Sequence, residues 1–249
     1  MKYSISVNTY KGVDGSSLSQ TRCDQIVSVY EMLESLGNKI ITYIDIQEYA
    51  EKRNLFGKTN AKSAVRTFFP LLKKMGFVYY EGNFKACECF TNLGKQFVFA
   101  NRALEKVNSE TQHKDEILSR LSRIKVNTIR QGIVNMRGNP ECVNHNIWIA
   151  MELLHEFQVF HWNEFLYTLY CIDNDKTIED AIHDIHNNKK VIDNSIFLGE
   201  DNKPLPTTCY TYIRSLLTEA QLIAKVNALE SKVLDSFYYL YSQIQTKNE

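Results

Sequence analysis

The sequence predicts a mainly α-helical protein with small β-hairpins, an α+β chain of two related modules joined by a helical connector. Three observations carry that prediction. Apolar residues at i, i+3, i+4 and i+7, the period of an amphipathic helix, recur along the chain. A β-rich run with a Glu-Gly-Asn turn (residues 77–90) directly follows one such helix. The apolar spacing of that helix returns 145 residues later. The expected division is residues 1–106, a connector at 107–140, and residues 141–249.

Composition sets the class. With 44% hydrophobic and 23% charged residues in 249, the chain has enough apolar surface for a real core. Ten Gly and four Pro leave little room for long disordered linkers. The opening MKYSISVNTYKG lacks the apolar stretch of a secretory signal, and no run of about 18 apolar residues exists to span a membrane. Six scattered cysteines without framework spacing fit free thiols, so a cytoplasmic location is expected. The net charge is zero, yet residues 1–140 carry 21 Lys+Arg against 13 Asp+Glu, and residues 141–249 carry 8 against 16. Only the first half suits phosphates; the other reading is that the two halves are ordinary solvated surfaces docking on each other.

Taken in order, Tyr3, Ile5 and Val7 alternate with polar residues and suggest a strand before a Gly-Ser loop. Ile26, Val29, Tyr30, Leu33 and Leu36 form the buried stripe of a helix over residues 22–36, ended by Gly37. Ile40-Ile41 is too short to assign by itself. Thr42, three residues before Asp45, makes a capping pattern for a second helix through Arg53. Thr59 or Asn60 caps a third, with Val65, Phe68, Phe69 and Leu72 facing inward. Pro70 removes one N–H and crowds the Arg66 carbonyl, so a kink or break is expected there. After Gly76, residues 77–80 should pair with residues 86–90 as a hairpin across Glu81-Gly82-Asn83. Thr91 then caps a helix over residues 92–106. The connector ends at Gly138-Asn139-Pro140.

The second half repeats the first. A helix over residues 146–157 places Glu152-Leu153-Leu154 where the first places Glu31-Met32-Leu33. Asn163 opens a helix 121 residues after Thr42. Tyr210, Ile213, Leu216 and Leu217, then Leu222-Ile223, match Val65, Phe68, Leu71 and Leu72, then Phe77-Val78, at an offset of 145. The extra residues form an insertion within residues 173–206, with eight Asp+Glu against four Lys. This pattern reads as a diverged duplication of one three-helix module. At the end, Leu222, Val226, Leu229, Val233, Phe237, Leu240 and Ile244 alternate spacings of four and three. They predict one long helix whose seam makes a homodimer contact or folds back on the second module.

The third helix and the hairpin after it have the shape of a recognition helix and its wing, so both modules read as winged-helix-like. Lys58, Asn60, Lys62, Ser63 and Arg66 stand at the start or on the outward face of that helix. Arg pairs bidentately with guanine and Asn with adenine, while Lys and Ser hold phosphates. Between Lys52 and Lys74 there are seven basic residues and no acid. Asn83 and Lys85 come from the wing. Arg120, Arg123, Lys125, Arg130 and Arg137 give the connector a basic run without an acid, suited to gripping a DNA backbone. The expected partner is double-stranded DNA. In the second module Arg66 becomes Thr211, leaving only Arg214 nearby, so that acidic module suits a protein partner instead. A protein-interaction adaptor is the alternative reading of the whole chain.

The stretch GFVYYEGNFKACECFTNLGKQFVFA resembles the first winged-helix subdomain in the DNA-recognition regions of type IIS restriction endonucleases. There a Thr-x-x-Gly also starts a closing helix, and a helical connector leads to a second winged helix with a long insertion. The resemblance implies a recognition component of a restriction or defence system, non-catalytic by itself, with cleavage supplied by another chain. A nuclease reading would need Asp193 with Asp201-x-Lys203 to hold magnesium, although residues 199–202 read as a surface turn. Cys87-x-Cys89, which would share one face of a strand, Cys142-x-x-His145 and His183-x-x-His186 have ligand-like spacing but not the order of a zinc motif, so no metal and no cofactor is expected.

Overall fold

A computed structural model of the chain describes residues 1–6, 18–57, 59–108, 111–137 and 146–245. It is mainly helical, with small two- and three-stranded sheets. Two compact units divide the chain: Asp14–Asn139, and Pro140–Glu249 together with Met1–Val13. The first holds 19 Lys+Arg against 13 Asp+Glu and the second 10 against 16, so the charge split follows the units. Among the described residues no helix is long and apolar enough to cross a membrane. The chain begins with strand β1 (Lys2–Ser4), which belongs to the second unit.

The first unit is built from α1 (Gln20–Leu36), β2 (Ile40–Ile41), α2 (Tyr43–Lys52), α3 (Ala61–Lys74), β3 (Phe84–Lys85), a 3-10 turn at Ala86–Glu88, α4 (Asn92–Lys106) and α5 (Lys114–Arg137). Its caps follow the sequence pattern. The Thr42 hydroxyl accepts from the Asp45 N–H at 3.3 Å, and the Asp45 carboxylate accepts from the Thr42 N–H at 2.7 Å. Asn60 accepts from the Ser63 N–H at 2.8 Å. Thr91 accepts from the Gly94 N–H at 3.2 Å and donates to the Gly76 carbonyl at 2.7 Å. Gly94 is required there: a Cβ would lie 2.0 Å from the Phe77 carbonyl oxygen.

Four expectations for this unit are corrected. One helix, α3, runs through Pro70 to Lys74, because Phe68, Phe69, Leu71 and Leu72 are all buried and anchor the backbone on both sides of it. The expected hairpin narrows to a single bridge between Val78 and Phe90. Its return strand turns away because Ala86 and Cys87 donate their N–H groups to the Lys39 and Gly37 carbonyls, and Phe84–Lys85 pairs antiparallel with β2. Cys87 and Cys89 therefore lie in and beside a 3-10 turn, one half-exposed and one buried, and not on one face of a strand. The stretch read as a connector is packed into this unit. Helix α5 lies along α4, with Leu121, Val126, Ile129, Gly132, Ile133 and Met136 buried, and Asn135 donates to the Met75 carbonyl at 3.0 Å. The break expected at residues 138–140 lies outside the described residues.

The second unit contains α6 (Asn146–Phe157), β4 (Val159–His161), α7 (Trp162–Asp173), α8 (Ile178–Asp193), β5 (Ile196–Leu198), α9 (Thr208–Glu219), β6 (Ile223–Lys225), β7 (Glu230–Val233) and α10 (Asp235–Gln245). Strands β4, β7 and β6 form an antiparallel sheet in that order. The acidic insertion is α8 and β5. Strand β1 pairs parallel with β5, Lys2 opposite Ile196, and packs Tyr3 against Tyr167, Tyr170 and Phe197 at centroid distances of 4.7–5.3 Å. The Ser6 N–H and hydroxyl both donate to the Asp173 carboxylate at 2.7 Å. Buried Glu164 of α7 is ion-paired with Lys189, fastening α8.

The long terminal helix expected over residues 222–244 does not form. Leu222, Val226, Leu229 and Val233 belong to a β-hairpin and its flanks, while Phe237, Leu240 and Ile244 face inward from the separate helix α10. The spacing that mimicked a helical seam is split between two elements, and the continuous seam of the homodimer reading goes with it. Helix α7 starts at Trp162 under a His161 cap, one residue before the expected Asn163.

Some backbone features recur at the two offsets of the sequence pattern. At the end of α3, Met75, Gly76 and Phe77 donate to Leu71, Lys73 and Leu72; 145 residues on, Ala220, Gln221 and Leu222 donate to Leu216, Thr218 and Leu217. Gly76 and Gln221 both take positive φ, 72° and 52°. At an offset of 121, Asn54 and Leu55 donate to Glu51 and Ala50, and Asp175 and Lys176 to Ile172 and Cys171. Gly37 and Gln158 share φ of 58° and 57°. These positive-φ helix ends fall at the two offsets expected from the sequence, although Gly37 donates to Glu34 and Gln158 to Leu154, bonds of different length along the chain.

Candidate nucleic-acid interface

Helix α3 buries Ala61, Ala64, Val65, Phe68, Phe69, Leu71 and Leu72 and turns the rest outward. Lys62, Ser63, Arg66, Thr67, Pro70, Lys73 and Lys74 form one partly or fully exposed stripe at helical spacing. Asn60 caps its start; Lys58 lies outside the described residues. Arg66 lies close enough to Tyr43 to oppose the upward push that burial gives the Tyr43 hydroxyl. Tyr43 stacks on Tyr80 at 4.6 Å and on Phe69 at 6.0 Å, so the ground beneath Arg66 is a packed aromatic floor. Among the described residues no carboxylate is ion-paired with Lys62 or Arg66. Their charge is therefore open to a ligand.

The other expected contacts divide. Asn83 is exposed at the turn after Tyr80. Lys85 is exposed but holds Glu88 at 2.8 Å, which raises its ammonium pKa and spends part of its charge locally. Arg120 holds Glu116 at 2.5 Å on the same helix. Arg123 is exposed without an ion pair among the described residues, while Lys125, Arg130 and Arg137 are half-buried. Burial lowers the Arg130 guanidinium pKa from its usual range. The basic run of α5 is thus a mixture of free, paired and half-buried cations, not a uniform grip. Sequence reasoning left out Thr67, Lys73 and Lys74, which continue the α3 stripe; Thr67 at i+4 from Ser63, and Lys73 and Lys74 at i+7 and i+8 from Arg66, are the spacings that mark them.

The counterpart helix α9 presents Thr208, Thr211, Tyr212, Ser215 and Thr218 and, at its end, the acidic Glu219, with no cation among them. Arg214, the basic residue expected nearby, is buried. Its Nε donates to the Ser231 hydroxyl at 2.7 Å, Nη1 to the Ala228 carbonyl at 2.6 Å, and Nη2 to the Glu230 carbonyl at 2.8 Å and the Asn227 carbonyl. It ties down the β6–β7 turn and reaches no ligand.

The remaining chemical candidates do not converge. Asp201 and Lys203 are exposed partners of each other at 3.1 Å, in a tight turn where Gly199 donates to the Lys203 carbonyl. His186 contacts Glu156 at 2.8 Å, and His183 contacts Asn187 at 3.1 Å. Cys142 and His145 lie outside the described residues. Among those described, no three His, Cys, Asp or Glu side chains group as metal ligands. Burial pushes the Cys89 and Cys209 thiols up to about 12, which marks them as core residues and not nucleophiles. No protein-family model matches the chain, and no curated protein or solved structure matches it significantly.

Proposed function

We propose that this is a double-stranded-DNA-binding protein that engages DNA through α3. The observation that carries the reading is the stripe from Lys62 to Lys74, cationic and hydroxyl-bearing, with Lys62 and Arg66 unpaired among the described residues. The order of elements supports it. Helix–strand–helix–helix followed by a strand return is the order of a winged helix: α1, β2, α2, α3, the Val78–Phe90 bridge and β3 in the first unit, and α6, β4, α7, α9, β6 and β7 in the second, with α8 and β5 inserted. Fold alone does not license function, so the weight rests on the charged face. Together with the resemblance to type IIS recognition regions, this suits a recognition component of a restriction system or a regulator, without catalysis of its own.

The test is duplex binding by fluorescence anisotropy over a salt series. Lys62→Ala with Arg66→Ala should weaken binding and flatten log K against log salt by about 1.8, the release expected for two phosphate contacts. An unchanged slope and affinity would remove α3 from the interface. A second reading, docking of a basic protein, draws on the negative second unit and on Val226 and Leu229, exposed at the tip of the β6–β7 turn. Absence of duplex binding by the intact chain would favour it.

A further inference from the structure

Helix α5 carries a second outward stripe that its basic residues do not describe. Arg120, Arg123, Ile124, Asn127 and Gln131 are all exposed, and 3.6-residue periodicity puts them on one face, opposite the buried Val126, Ile129, Ile133 and Met136. The stripe runs about 16 Å at the helical rise per residue. Beside it, Leu93 and Gln96 of α4 join Ile124, Asn127, Thr128 and Gln131 of α5 around a groove of about 330 Å³. No acid occurs between Ile117 and Arg137; with Arg120 held by Glu116 one turn back, Arg123 carries the positive charge of an otherwise amide-rich face.

One amide on it is held in a set orientation. The Gln131 Nε2 donates to Asn135 Oδ1 at 3.1 Å, and the Asn135 Nδ2 donates to the Met75 carbonyl at 3.0 Å. That carbonyl stands at the C-cap of α3. The relay leaves Gln131 with its Oε1 and its second N–H, an adjacent acceptor and donor. This is the pair that matches N6–H and N7 of adenine in a major groove. Asn127, one turn earlier, offers the same chemistry. Arg123 matches the O6/N7 edge of guanine, and Ile124 supplies an apolar contact for a thymine methyl.

We propose that this face of α5 is a second base-reading surface on double-stranded DNA, with Asn127 and Gln131 directed at adenine and Asn135 as the positioning residue for Gln131. The proposal rests on the DNA-binding reading above and commits to duplex DNA through charge complementarity: the face sets Arg123, unpaired among the described residues, beside the neutral amides that line the groove. Amides add no counterion release, so their contribution shows as sequence preference and not as salt dependence.

The experiment selects bound duplexes from a random pool with the full-length protein, then repeats the selection with Asn127→Ala/Gln131→Ala and with Asn135→Ala. For the double variant we expect the wild-type consensus to lose its preference at adenine positions. Affinity for the selected duplex should fall roughly ten-fold or more, with the salt slope unchanged. Asn135→Ala should blur the position read by Gln131 and leave the one read by Asn127. Unfolding curves matching wild type show that the fold of each variant is intact. An unaltered consensus and affinity would overturn α5 as a reader while leaving α3 on DNA. A lowered salt slope would make the stripe a backbone contact, and overturn base reading. Failure of the wild-type protein to bind any duplex would overturn the underlying reading instead.

Discussion

Replacing Arg214 by Ala tests whether one buried guanidinium holds the hairpin of the second unit. The side chain is 7% exposed, and its hydrogen bonds reach one side-chain and three main-chain acceptors within residues 227–231. The Ser231 contact is fully buried, and losing a charge-assisted bond there costs about 2 kcal/mol. The three carbonyls lie in an exposed turn where water can replace the donor, at about 0.5 kcal/mol each, giving about 3–4 kcal/mol in all. Both tryptophans, Trp148 and Trp162, belong to this unit, and Trp162 lies 5.4 Å from the Tyr210 ring over which Arg214 sits. Tryptophan emission during urea unfolding therefore reports this unit apart from the other, and its midpoint should fall by roughly 1.5–2 M. Arg214→Lys should recover little, because one ammonium cannot span acceptors on both sides of a turn. An unfolding free energy for Arg214→Ala within about 0.5 kcal/mol of wild type would refute the clamp.

Two glycines should respond differently to the same substitution. Gly94→Ala drives a Cβ into the Phe77 carbonyl and should destabilise the first unit by about 3 kcal/mol, seen as a lower far-UV melting transition. Gly132→Ala meets Met75 Cε at 2.6 Å, Met75 Cβ at 3.1 Å and Phe77 Cε1 at 3.2 Å, side-chain atoms and not a carbonyl at 2.0 Å, and gains about 1 kcal/mol of helix propensity, so its net loss should be smaller. Equal losses would contradict the assigned contacts. Acid stability should depend on the two capping boxes: the Asp45 and Asp180 carboxylates accept from the N–H and hydroxyl of Thr42 and Thr177, which lowers their folded pKa values. Their contribution is full above the unfolded value of about 3.9 and is lost as pH falls through the lowered folded values. Asp45→Asn with Asp180→Asn should therefore flatten the urea midpoint against pH below about pH 4; an unchanged slope would argue against the boxes.

Local chemistry was legible in the sequence. Thr42 with Asp45, Asn60 and Thr91 cap the helices their residue types announce, because a cap is decided within four residues. The inward positions of α3 were legible because burial of a helix face imposes a fixed period on whatever residues occupy it. The outward cations of α3 could be named, because exposed side chains follow from the buried ones by elimination.

Pairing across distance could not be read. The bond of β1 to β5 joins residues about 194 apart, and two three-residue strands have no spacing that names their partner. The β6–β7 turn, Val226-Asn227-Ala228-Leu229, has no Gly or Pro to announce it, and its flanking apolar residues happen to fit a helical period. A guanidinium from α9 closes that turn instead. The sequence by itself determined most of the helices, the caps at Thr42, Asn60 and Thr91, and the charge of each half. Tertiary structure decided which cations stay open to a ligand. It turned Arg214 inward, paired Lys85 and Arg120 with glutamates, and packed α5 against α4 so that its amides, and not only its arginines, face out. The reason is physical: a cap or a period is set by neighbours in the chain, whereas the partner of a charge is set by what folding brings within a few ångströms of it.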